Sequence, residues 1–289
     1  MKNILLTFFF NIILIIDKLF IIVFKKSFLR SLLEFLNDKS YSKTKILNKE
    51  IKFFTPTKIS EYRVKTLFTK EPDTIKWIDS FDNSKEFTFW DIGANIGLYS
   101  IYNSIKNPNS KTISFEGSTS NLRLLSRNIS INMLNDNISI FQIPLTKDQN
   151  KFLSMNESEF IEGSALNTFG ENFNFKGQKF KVRMNYKIFG TNINYLVKNN
   201  IIDLPEYIKI DVDGIEHLIL SKADNLLQNK DLKSILIEIN ENYKRQLNSV
   251  LKIMKKNKFK LLSKEQSNLR NIPLKFKNTY NYIFVRNKN

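Results

Sequence analysis

Residues 87–102 hold the stretch that most limits how this chain can fold. An apolar run, Phe87-Thr88-Phe89-Trp90, leads into Asp91-Ile92-Gly93-Ala94-Asn95-Ile96-Gly97, and the helix-like Leu98-Tyr99-Ser100-Ile101-Tyr102 follows. Strand, glycine turn and helix in that order place a nucleotide-like ligand at a helix N-terminus. A dinucleotide fingerprint, G-x-G-x-x-G, would need glycine where Asn95 and Leu98 stand. Its second glycine is what lets the backbone approach a pyrophosphate. The spacing here therefore favours a ligand that has none.

S-adenosylmethionine (SAM) meets that description, with its amino-acid end over the turn and its ribose farther along the sheet. Lys111-Thr112-Ile113-Ser114-Phe115 reads as a second strand ending in Glu116. An acid about 20 residues beyond the glycine turn can accept hydrogen bonds from both ribose hydroxyls. Taken alone, Glu116 reads equally well as a solvated acid at a strand end. Its distance from the turn favours the functional reading.

With these pieces stand N-L-R-L-L-S-R-N-I-S-I-N at 121–132, I-K-I-D-V-D-G-I-E at 208–216, I-L-I-E-I at 235–239 and N-Y-I-F-V at 281–285. In this order they resemble the FkbM-type SAM-dependent methyltransferases. The resemblance implies a class I methyltransferase fold and, commonly, O-methylation of a hydroxyl on a sugar or polyketide. It implies cofactor contacts from Asp91, Gly93, Ala94, Asn95, Gly97, Glu116 and Asn121. Two departures stand out: Gly117 where the family usually has proline, and Asp213 where its D-x-E-G-x-E motif has glutamate.

From Phe87 onward strand and helix patterns alternate, which implies a parallel sheet. Strands are expected near 87–92, 111–116, 138–143, 206–211, 234–239, 258–263 and 279–285. Helices are expected near 97–106, 119–134, 191–200, 215–228 and 243–257. The fold expected is α/β, a Rossmann-like class I methyltransferase. It has seven strands, mostly parallel with an antiparallel last strand, and helices on both faces. The domain reading is an apolar helix over 1–26, a helical lead-in over 27–85 and the methyltransferase domain over 86–289. Between about 146 and 187 the alternation fails, with short strands expected at Phe152–Met155 and over 179–186. An insertion of that size is usually functional or loosely ordered, and this one is placed to shape an acceptor pocket. Gly163-Ser164-Ala165-Leu166 lies inside it.

The chemistry is expected at Asp211, Asp213, Glu216 and Glu238. Side chains alternate along a strand, so Asp211 and Asp213 share a face, and Gly214 permits the turn into a helix. Such acids can receive a hydroxyl proton, orient the hydroxyl, or hold a divalent cation that lowers its pKa. Any metal would fall to Asp211 and Asp213. The structural alternative is that Asp213 caps the next helix and Glu216 complements its dipole. Glu238, in an otherwise apolar strand, is costly to bury unless it sits at the open end. His217 is the single histidine, and as a neighbour of Glu216 on a helix it points elsewhere.

Cysteine is absent, which excludes disulfides and thiolate metal sites, and one histidine excludes the usual zinc sites. The net charge of +17 suggests nucleic acid or an anionic surface. Yet the lysines are scattered, and nucleic acid is the disfavoured partner. A small-molecule or glycan acceptor is expected instead. Residues 4–24 are apolar, interrupted by Asn11 and by Asp17-Lys18, and no small-x-small cleavage site follows. They are expected to lie on a membrane, span it or pack on the protein; the charged pair favours lying in the interface. With Lys25, Lys26 and Arg30 after it, the expected location is cytoplasmic, on the inner face of a membrane. Two alternatives stay open: an N-methyltransferase of another metabolite, and a catalytically silent membrane-associated module of the same fold.

Overall fold

The computed structural model describes residues 2–179, 181–266 and 276–287. The chain divides into two units, Met1–Tyr41 and Ser42–Asn289. The first holds helices α1 (Lys2–Phe24) and α2 (Phe28–Lys39). Asp17, within α1, accepts hydrogen bonds from Ser27 Oγ at 3.0 Å and from the Leu29 backbone N–H at 2.9 Å. The Ser27 hydroxyl in turn accepts from Arg30 N at 3.1 Å, so the two side chains together cap α2.

In the second unit the expected helical lead-in is interrupted. A hairpin, β1 (Tyr41–Ile46) and β2 (Lys49–Phe54), turns at Leu47, whose φ is 53°. Ile51 and Phe53 are buried on alternate positions of β2, a period of two that outweighs local helix propensity. Helix α3 (Lys58–Lys65) opens with a capping box between Thr57 and Ser60, and α4 (Pro72–Asp79) opens at proline.

The main sheet is built from β3 (Thr88–Ile92), β4 (Lys111–Phe115) and β5 (Ile138–Phe141), then β9 (Tyr207–Ile210), β10 (Ser234–Asn240), β11 (Phe259–Glu265) and β12 (Thr279–Arg286). Their order is β11-β12-β10-β9-β3-β4-β5. Strands β5, β4, β3, β9 and β10 are parallel, while β12 runs antiparallel to both β10 and β11. Helices α5 (Leu98–Lys106), α6 (Thr119–Ile131), α7 (Ile193–Lys198) and α10 (Lys244–Lys256) stand where the sequence places them. The single helix expected over 215–228 is two, α8 (Glu216–Leu220) and α9 (Asp224–Leu227). At the break, Ser221 Oγ donates to the Leu218 carbonyl at 2.6 Å, competing with the backbone ladder. Trp90, Ile92, Phe115, Ile208, Ile210, Ile235 and Ile237 fill the core at the centre of the sheet.

The insertion forms a second, antiparallel sheet of β6 (Lys151–Glu157), β7 (Thr168–Phe169) and β8 (Met184–Gly190), in the order β7-β6-β8. The expected strand over 179–186 includes Phe180, which lies outside the described residues; the strand itself begins at Met184. Pairing sets this register, with Phe152 opposite Phe189 and Met155 opposite Tyr186. From β3 the chain winds outward to β4 and β5, then returns across the sheet to β9. The crevice at the carboxyl ends of β3 and β9 is thus the topological switch point, where open α/β sheets bind ligands.

Candidate functional site

Gly93 and Gly97 take left-handed φ values of 86° and 87°, and Asn95 between them has φ 52°. Glycine at 93 has a second cause. A Cβ there would sit 1.9 Å from the Asp211 carbonyl oxygen, because the turns after β3 and β9 touch at that point. Glu116 is buried at the end of β4. One carboxylate oxygen accepts from Asn95 N and the other from Ser118 N, both at 2.8 Å. Each oxygen keeps a lone pair for a ligand. Burial raises the pKa of Glu116 to about 7, against the pull of those two amides.

The insertion closes over this turn. The side-chain amides of Asn95 and Asn121 both donate to the Ser164 carbonyl, at 2.8 and 3.2 Å, and Gly163 N donates to Asn121 Oδ1 at 2.9 Å. From below, Asp213 Oδ2 accepts from Leu166 N at 2.6 Å and Asn167 N at 3.4 Å. From α3, Arg63 Nε donates to the Gly163 carbonyl at 2.5 Å. Gly163-Ser164-Ala165-Leu166 is thus held from three directions. The cavity it roofs is lined by Gly93, Glu116, Asn121, Asn167, Asp211 and Asp213.

A second cavity opens beside it, lined by Arg63, Lys70, Glu71, Tyr99, Lys209 and Asp211. Its floor is charged. Lys209 is 1% exposed, with Nζ 3.0 Å from Asp211 Oδ2, 3.9 Å from Asp91 Oδ1 and 5.1 Å from the Tyr99 ring centre. Burial would deprotonate this lysine, but Asp211, Asp91 and Glu71 outweigh it and raise its pKa. Glu71 pairs with Lys70 and accepts from Tyr99 Oη at 2.8 Å. Burial raises its pKa, and Lys70 and Lys209 more than reverse that, to about 2. Asp91 Oδ2 accepts from Ser100 Oγ at 2.6 Å, while burial raises its pKa.

Glu238, on β10, is in the lining of neither cavity. Ile237 pairs with Ile210 across β10 and β9, which sets Glu238 beside Asp211. It is half-buried and has no hydrogen-bond or ion-pair partner among the described residues. Burial, then the negative charges of Asp211 and Glu71, push its pKa well above the carboxylate range.

The Methyltransferase FkbM domain family matches residues 91–261, more than half of the chain. The chain belongs to this family. Its chemistry is methyl transfer from SAM. No curated protein sequence matches it. Solved structures alike in fold include precorrin-6y C5,15-methyltransferase from Geobacter metallireducens, at 12% identity over 87% of this chain and 96% of that one, TM-score 0.43. Another is TrmK of M. capricolum with S-adenosyl-homocysteine, at 13% identity over 74% and 68%, TM-score 0.42. TYW2 of M. jannaschii with AdoMet shows 14% identity over 86% and 87%, TM-score 0.42. These likenesses are of fold alone.

The cleft of this FkbM chain suits SAM on an observation of its own. Asp91 Oδ1, Asn95 Oδ1 and Asn167 Oδ1 are buried acceptors with no hydrogen-bond partner among the described residues. Unpaired buried acceptors call for donors, and an ammonium, ribose hydroxyls and an adenine amine are donors. Of the residues the resemblance assigned to the cofactor, Gly93, Ala94, Asn95, Glu116 and Asn121 line the cavities, while Asp91 and Gly97 line neither.

The four expected catalytic acids separate. Asp211 lines both cavities and Glu238 flanks it. Asp213 reaches the cavity, with one carboxylate oxygen engaged by the insertion; burial and Asp211 raise its pKa to about 6. Glu216 lines neither cavity. Its Oε1 accepts from Val212 N at 3.1 Å and Gly214 N at 3.2 Å, and Gln246 donates to its Oε2. That arrangement ties the turn after β9 to α10, so a catalytic place for Glu216 gives way to a structural one. His217 is 3% exposed and lines neither cavity, and burial lowers its pKa to about 4. Among the described residues no group of three or more acids or histidines is arranged to hold a metal ion. At the two positions the sequence offered for a cation, Asp211 Oδ2 is paired with Lys209 and Asp213 Oδ2 with the Leu166 N–H.

Sequence reasoning passed over Arg63, Lys70, Glu71, Tyr99 and Lys209. One signal was available: Lys209 lies between isoleucines in a strand whose pattern is otherwise apolar, and a lysine is rarely buried unless paired.

Proposed function

We propose that this protein transfers the methyl group of SAM to a hydroxyl oxygen of a sugar, glycan or related polyol, with Glu238 as the proton acceptor. The observation that carries the reading is the half-buried Glu238 carboxylate set beside Asp211, which lines both cavities. A hydroxyl is a weak nucleophile, and a positioned base of raised basicity removes its proton as the new bond forms. Bound SAM supplies an activated methyl group. The chain's own residues do the rest.

Glu116 accepts from the ribose hydroxyls, and Asn95 and Asn167 offer their free carbonyl oxygens to the nucleoside. Arg63 and Lys70 face the carboxylate of the amino-acid end, and Asp91 and Asp211 its ammonium. Lys209 holds those two aspartates in place. The Gly163–Leu166 roof excludes water from the cavity, and alignment of the reactants supplies much of the acceleration. What supports a hydroxyl acceptor is Glu238 beside Asp211, whose free carboxylate oxygens can accept from an O–H group.

The test uses the full-length protein with methyl-labelled SAM and a panel of mono- and oligosaccharides. Label is expected in an alkali-stable ether, and Glu238→Gln should bind S-adenosylhomocysteine as tightly as wild type while losing turnover. Label on nitrogen, or wild-type turnover by Glu238→Gln, would sink the reading.

A further inference from the structure

We propose that α1 crosses a lipid bilayer and that α2 lies along its surface among anionic headgroups. The residues of α1 decide between spanning a membrane and lying on it. A helix in the interface plane needs a polar face opposite its apolar one. Between Ile4 and Phe24 the only charged side chains are Asp17 and Lys18. Ile4, Leu5, Phe9, Phe10, Leu14 and Leu19 are all exposed, at positions that go round the helix, and none of the window is buried. An apolar surface on every side has one solvent that suits it, hydrocarbon. The 21-residue stretch has a mean hydropathy of 2.3. At about 1.5 Å per residue it matches the roughly 30 Å of a bilayer core.

Asp17 was the objection to a span, because an unpaired charge in lipid is expensive. The structure removes much of it. The Asp17 carboxylate accepts from Ser27 Oγ and from Leu29 N, so its charge is hydrogen-bonded and faces a helix N-terminus. Asp17 also lies toward the C-terminal end of the stretch, where Lys18 can extend its amine to the headgroups. Phe20 packs between Phe24 and Phe28, joining the two helices at that end.

The same end is basic. Lys18, Lys25, Lys26 and Arg30 lie there, while Lys2 is the only basic residue before Lys18. Helix α2 is two-faced: Phe28, Leu29, Leu32, Phe35 and Leu36 on one side, Arg30, Ser31, Glu34 and Asp38 on the other, with Lys39 over the Phe35 ring. Such a helix lies in the interface, and Lys25, Lys26 and Arg30 at its start draw it to anionic lipid at about 1 kcal/mol each. By the positive-inside bias, residues from Lys25 onward stay on the cytoplasmic side.

The absence of cysteine makes the test direct. In the full chain, Asn3→Cys and Ser31→Cys are made separately and treated with a membrane-impermeant maleimide in intact cells and in inverted vesicles. The span requires opposite sidedness: position 3 labelled only in cells, position 31 only in vesicles. Both positions labelled from one side would show a helix lying on the surface and overturn the span. Recovery of a chain lacking its first residues would show a cleaved leader, with the same consequence. A second readout is resistance to alkaline carbonate. Wild type should stay in the membrane pellet, and Phe9→Asp with Ile12→Asp should release it; release of the wild type would also overturn the span. None of these readouts depends on methyl transfer.

Discussion

Glu216, at the start of α8 after β9, and Glu238, on β10, are two glutamates whose pKa is raised by burial, and their partners differ. Glu216, in the turn, has Val212, Gly214 and Gln246 as donors to its two oxygens. Glu238, one strand away, has none among the described residues. A buried acid with every oxygen paired ties elements together; one with free oxygens can accept from a ligand, which is the reading proposed for Glu238. Sequence motifs do not separate these cases. Hydrogen-bond partners do.

The largest effect should come from removing the proposed proton acceptor. Glu238→Gln keeps the shape of the side chain but cannot take a proton, so turnover should fall by about 10²–10⁴-fold. Its affinity for S-adenosylhomocysteine, read by calorimetry, should stay put. A loss confined to cofactor affinity would move Glu238 into the binding machinery and dissolve the contrast with Glu216.

Next is the cation beneath the cleft. Lys209→Met leaves the buried Asp91, and the half-buried Asp211 near it, without their shared counter-charge. Breaking a buried pair on one side costs about 3–5 kcal/mol, visible as a lower urea midpoint at unchanged slope. Restoring stability with Asp91→Asn in the same chain would show that the cost is the stranded charge. An additive loss in the double variant would place the importance of Lys209 elsewhere.

These residues also show what a sequence can say. The glycine turn, the seven strands and the acids after β9 were legible because each rests on local rules: period two, positive φ, acid at a strand end. Arg63, Lys70 and Glu71 were not, because they reach the cleft from α3 and the loop before α4. Only tertiary packing brings that segment over the turn at Gly93. The split between Glu216 and Glu238 was invisible for the same reason. It depends on Gln246, which is 30 residues from Glu216 and arrives on a different helix.

The fully paired glutamate has its own signature, in pH. Glu216 has an ordinary carboxyl pKa near 4.5 when unfolded and about 7 when buried. Its folded pKa is raised, so its contribution to stability is full below the unfolded value and is lost as pH rises through about 7. Between those values wild type should lose on the order of 3 kcal/mol relative to Glu216→Gln. The variant sets its amide against that of Gln246, a penalty that does not vary with pH, so the difference in slope isolates the titration. Parallel pH profiles would mean that Glu216 is not buried as a protonated acid. Glu116, raised in the same direction, contributes equally to both chains and cancels.

The smallest effect tests the case in between. Asp213 has one oxygen engaged by Leu166 N and Asn167 N, and it lines the cavity. Its φ of 61° is a left-handed conformation that asparagine tolerates as well as aspartate. In Asp213→Asn the side-chain carbonyl can still accept from Leu166 N, so the roof over the cavity stays held. What is lost is the charge assistance in that hydrogen bond, worth roughly 1 kcal/mol, or less than about tenfold in kcat/KM. Asp213→Ala removes the acceptor altogether, and the freed Gly163–Leu166 segment should then raise KM for SAM more than it lowers kcat. If Asp213→Asn instead matched Glu238→Gln in lost turnover, the free oxygen of Asp213 would be the proton acceptor. Full pairing, rather than burial, would then still be what sets Glu216 apart.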